Sequence, residues 1–98
     1  MRYHTDDVLA ELQARGDESA YWLAVEKLPG VERRFKRLTA ALARLLEDVQ
    51  EDFPDAMYYT GSGGLNLLLG DSHAGNTPHQ ELIAFSAGWK LHIGDGDW

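Results

Sequence analysis

Ninety-eight residues, 44% hydrophobic and 26% charged, indicate one globular domain near the size at which a core forms unaided. Nine Lys and Arg against sixteen Asp and Glu leave a formal charge of −7, which argues against non-specific binding to nucleic acid or an anionic membrane. The chain has no cysteine, so a disulfide framework and a thiolate metal site are both excluded.

The opening segment MRYHTDDVLAEL lacks the apolar centre of a signal peptide, and no apolar run approaches membrane-spanning length. A soluble, cytoplasmic protein is the expectation. Residues 1–53 hold eight of the nine basic side chains, and eight of the ten glycines follow Pro54. The composition therefore predicts a single α+β domain, 1–98, with a helical half at 1–53 and a β-sheet half at 54–98.

Thr5 suits an N-cap, with Asp6 and Asp7 where the helix dipole favours negative charge. Val8, Leu9 and Leu12 then form one apolar face, and Gly16 is placed to end this first helix. Asp17 can cap a second short helix with Tyr21, Trp22, Val25 and Leu28 inward. Pro29-Gly30 stops it.

The third segment carries the clearest periodicity. Val31, Phe35, Leu38, Leu42, Leu45, Val49 and Phe53 recur at spacings of four and three, a continuous stripe closed by Pro54. The stripe predicts a long helix whose Phe35, Leu38, Leu42, Leu45 and Val49 pack on a sheet. The same spacing also suits a coiled-coil seam. Charge is sorted along the polar face, with Arg33, Arg34, Lys36 and Arg37 first and Glu47, Asp48, Glu51 and Asp52 last. The macrodipole prefers the reverse. Either Arg33, Arg34 and Arg37 form a basic patch for an acidic partner, or Glu26, Glu32 and the acidic sheet loops neutralise them within the fold.

Four strand candidates follow, at 56–60, 65–70, 81–87 and 89–94, each bounded by turn residues. Leu65, Leu67 and Leu69 face one way, with Asn66 and Leu68 the other. Leu91 and Ile93 alternate with Lys90 and His92. Two short helices and one long helix packed on a four-stranded antiparallel meander, as a two-layer sandwich, is the predicted architecture. Leu68, Ile83 and Phe85 are expected together on the uncovered face, a patch that a homodimer would bury.

The loop GDSHAGNTPH spaces Asp71, His73 and His79 as candidate metal or catalytic ligands. Its remaining residues are those that turns select, and a zinc site needs about three converging ligands, so a surface hairpin loop is the expected reading. No HExxH, phosphate-binding loop or nucleophile elbow occurs, and no cofactor is implied. Trp98 either folds back on the core or protrudes as an aromatic anchor, and Trp89 adds further aromatic surface.

These features favour a small, acidic, non-enzymatic protein-interaction module, with Arg33, Arg34, Arg37, Trp89 and Trp98 as candidate partner-binding residues. A protein partner or a second copy is expected, with neither nucleic acid nor membrane. Such a chain suits an accessory or phage-type protein. A metal-binding protein or enzyme centred on Asp71, His73 and His79 is the alternative from another class, and an acidic nucleic-acid mimic or inhibitor a third.

Overall fold

A computed structural model describes residues 2–61, 64–88 and 90–94. Three helices come first: α1 (Thr5–Arg15), α2 (Tyr21–Lys27) and α3 (Val31–Gln50). Strands follow: β1 (Met57–Gly61), β2 (Gly64–Leu68), β3 (His73–Ala74) and β4 (Thr77–Pro78), then a 3-10 turn at Gln80–Leu82 and β5 (Ile83–Ser86). The protein is α+β. It falls into two compact units, Met1–Ala40 and Ala41–Trp98, and the division lies within α3.

In the first unit, the N-cap of α1 is His4 rather than Thr5. The His4 amide donates to the Asp7 carboxylate at 2.9 Å, which anchors the helix start one residue earlier than expected. The Gly16 and Asp17 amides donate to the Gln13 and Leu12 carbonyls and close the helix as predicted.

The inner face of α2 differs from the sequence expectation. Leu23 is the buried residue, whereas Tyr21, Trp22 and Leu28 are exposed. Seven residues make only two turns, so apolar positions all round such a helix do not fix which side turns inward. Tyr21 instead uses its hydroxyl, donating to Glu32 at 2.9 Å and tying α2 to the start of α3.

Three ion pairs accompany this tie, one of them between α1 and α2. Arg15 reaches Glu11 at 2.9 Å and Glu26 at 2.7 Å, and Lys36 reaches Glu32 at 3.0 Å. The Arg15 guanidinium holds the Glu26 carboxyl below its usual range. Lys36, and then the Tyr21 hydroxyl, do the same for Glu32. Stability from these depressed carboxyls is full above the unfolded value of about 4.3 and is lost as pH falls through the lower folded values. Melting followed by helical circular dichroism should therefore weaken below about pH 4.5, with a shallower acid slope in Glu26→Gln. An unchanged slope would mean that the Arg15 link contributes nothing in solution.

The second unit is organised by β2. It lies at the centre of a three-stranded antiparallel sheet of order β1-β2-β5, and β3 pairs with β4 as a separate ribbon. Among the described residues the sheet has three strands, not the four predicted. Residues 90–94 carry turn and irregular backbone, and Gly88 and His92 take φ of 60° and 45°. Left-handed residues reverse the chain, so the alternation of Leu91 and Ile93 with Lys90 and His92 never lies on a pleat.

A β-bulge sets the faces. Leu67 pairs with Phe85 but Leu68 pairs with Ile83, which leaves Ala84 as the extra residue. Phe85 consequently joins Leu67, Leu65 and Tyr58 on one side, and Ile83 joins Leu68 and Asn66 on the other. The expected patch of Leu68, Ile83 and Phe85 is thus divided between the two faces. Leu68 is only 2% exposed, because the segment carrying β3 and β4 lies over its side of the sheet.

Two contacts hold the second half of α3 to this unit. The Tyr58 hydroxyl donates to the Leu42 carbonyl at 2.7 Å, and the Gln50 amide donates to the Ala56 carbonyl at 2.9 Å. Burial pushes the Tyr58 hydroxyl pKa up. Close approach also fixes one glycine. A Cβ at Gly64 would stand 2.7 Å from the Gly88 carbonyl oxygen, so this buried position admits no side chain.

The stripe of α3 is where the expectation fails most clearly. Phe35 is 72% exposed, Leu38 64%, Leu42 41% and Leu45 48%, and none of the helix's residues is buried. Amphipathic spacing states that a face prefers burial but brings no segment to cover it. Among the described residues no helix is long and apolar enough to cross a membrane.

Candidate functional site

Two surfaces collect the residues that sequence analysis singled out. The first runs along α3. Arg33, Arg34 and Arg37 are exposed in its first turns, and among the described residues none of them has an ion-pair partner. Two of the acids expected to neutralise them are engaged elsewhere, Glu26 with Arg15 and Glu32 with Lys36. Glu47, Asp48, Glu51 and Asp52 are likewise exposed and unpaired among the described residues. Between the two charge clusters lies the uncovered stripe from Phe35 to Leu45. Trp89 and Trp98, the expected aromatic anchors, lie outside the described residues.

At the sheet end of the stripe, Leu45 lines a shallow, mainly apolar groove with Tyr58, Leu65, Leu67 and Phe85. Phe85 is 72% exposed there. Burying a Phe or Leu side chain is worth about 1.5–3 kcal/mol, so exposing several in one row is costly unless something covers them.

The second surface is a cleft of about 510 Å³ on the opposite side of the sheet, lined by Tyr59, Asn66, Leu68, His73, His79 and Ile83 among others. The loop predicted between the second and third strands is a small hairpin. Gly75 takes φ 61° at the first of two turn positions, the conformation of a type II′ turn, and lets β3 return as β4. The His79 amide donates to the Ser72 carbonyl at 2.8 Å and continues this ribbon.

The hairpin brings two of the three candidate ligands to the cleft. The His79 Nδ1–H donates to the Asp71 carbonyl at 2.9 Å, since a carbonyl oxygen can only accept. His73 Nδ1 lies 3.0 Å from the Ser72 hydroxyl, and its ring meets Tyr59 edge-on at 5.6 Å. Asp71 enters through its backbone oxygen. Among the described residues no three His, Asp or Glu side chains converge as a zinc shell requires.

The residue that sequence reasoning missed is Asn66. It is buried, and its amide nitrogen lies 3.2–3.4 Å from the carbonyls of Tyr59, Gly61 and Gly64. A lone amide within LNLLL was the available signal, since a buried polar group must find partners.

Comparison with protein-family models, curated proteins and solved structures finds no match to this chain.

Proposed function

We propose that this chain is a small, acidic, cytoplasmic protein-interaction module without catalytic activity, whose docking surface is the apolar stripe of α3 flanked by Arg34 and Asp48. One observation carries the reading. Phe35, Leu38, Leu42 and Leu45 stand in a row along one helix and remain 41–72% exposed. Four large apolar side chains at a three-four spacing form a helix-in-groove or coiled-coil surface, which docks by burying the row against another helix or cleft. The unpaired arginines at one end and acids at the other supply orientation, because charges at the rim of an interface set register more than affinity.

The test is a pair of substitutions on exposed positions. Leu38→Asp with Leu45→Asp should retain the wild-type circular dichroism, since neither side chain is buried. In a cell extract the wild-type chain should migrate in a complex larger than its 11.0 kDa, and the double variant should migrate alone. Identical complexes from both chains would overturn the assignment of α3 as the docking surface.

A further inference from the structure

We infer that the occupant of the α3 stripe is a second copy of the same chain, packed antiparallel. This rests on the docking-surface reading above and adds the partner, its direction and its register.

The stripe fits one heptad phase. Phe35, Leu42 and Val49 fall at a positions, and Val31, Leu38 and Leu45 at d positions. Antiparallel packing sets each a residue against a d residue of the other helix. With the two-fold axis near Ala40, Leu38 meets Leu42, Phe35 meets Leu45 and Val31 meets Val49, so every layer pairs an apolar side chain with another.

The flanking g positions are Arg34, Ala41 and Asp48. In this register Arg34 of each copy faces Asp48 of the other, and the small Ala41 faces itself across the axis. Both charged residues are exposed and free of ion pairs among the described residues. The surface is complementary to itself, which is what a two-fold contact requires. A parallel pair would set the turns carrying Arg33, Arg34, Lys36 and Arg37 side by side, and likewise Glu47, Asp48, Glu51 and Asp52.

The sorted charges also gain a reason. Within a single α3 the arginines crowd the positive end of the dipole and the acids the negative end. In an antiparallel pair the acids of one helix lie beside the N-terminus of the other, and the arginines beside its C-terminus. The arrangement that opposes its own helix dipole therefore matches that of its neighbour.

The absence of native cysteine makes the register directly testable. Purified Arg34→Cys/Asp48→Cys at tens of micromolar should oxidise to a disulfide-linked dimer, while neither single variant should do so. By sedimentation, Arg34→Asp should weaken the wild-type dimer about ten-fold, and adding Asp48→Arg should restore most of that loss. A wild-type chain that stays monomeric at about 100 micromolar overturns self-pairing. If such a monomer still forms complexes in extract that Leu38→Asp/Leu45→Asp abolishes, the docking surface stands with a different occupant. A dimer that persists in Leu38→Asp/Leu45→Asp overturns both. Ready cross-linking of Arg34→Cys alone overturns the antiparallel direction.

Discussion

Leu68→Ala is expected to cost about 2–5 kcal/mol, while Leu42→Ala, from the most regular stripe in the chain, should cost less than about 1 kcal/mol in the monomer. Leu68 is 2% exposed at the centre of the sheet, with β1 and β5 on either side. Its removal leaves a cavity between strands that are themselves short, so the site cannot collapse cheaply. Leu42 is 41% exposed and loses only part of its contact on truncation. A domain of this size holds roughly 5–15 kcal/mol in all, so the Leu68 loss is a large share. Denaturant unfolding at low micromolar concentration reads both values, as a midpoint shift at constant slope. The reverse ranking would show that the stripe, and not β2, forms the core. If the chain pairs through α3 as proposed, Leu42→Ala should instead lower association.

Asn66→Ala should cost about 1–3 kcal/mol, although Asn is polar and its neighbours in β2 are leucines. Its amide supplies two hydrogens to three carbonyl oxygens, those of Tyr59, Gly61 and Gly64, across the closed end of the β1–β2 hairpin. Truncation leaves these oxygens short of a donor in a place where Asn66 itself is buried. Asn66→Asp gives a sharper signature. A carboxylate set against carbonyl oxygens is disfavoured, so the folded pKa of the introduced acid rises above its unfolded value of about 3.9. The variant is then closest to wild type at acid pH and loses stability as pH rises from there, the opposite of the Glu26 and Glu32 carboxyls. A melting temperature for Asn66→Asp that climbs between pH 4 and 7 relative to wild type would show that the amide does not hold the hairpin.

Much of this was written in local sequence. The periodicity from Val31 to Phe53, closed by Pro54, gave the long helix. Gly16 ended α1, and the glycine-rich second half gave antiparallel strands joined by turns. These features depend on interactions within a few residues, and spacing, capping and turn chemistry report on such interactions directly. Residues 89–94 show the limit. Their alternation is that of a strand, but the backbone at His92 within the run is left-handed, and composition carries no trace of that choice.

The sequence by itself determined the three helices, the α+β order, the sorted charge of α3 and the exclusion of thiolate chemistry. Tertiary structure alone decided which apolar residues are covered. Amphipathicity states that a face prefers burial but names nothing to bury it, because burial depends on area brought by distant segments. Hence Phe35 and Leu38 read as core and stand exposed, whereas Leu23, unremarkable in its window, and the polar Asn66 are buried. The bulge at Ala84 is of the same kind. One extra residue sends Ile83 and Phe85 to opposite faces, and only the register against β2 reveals it.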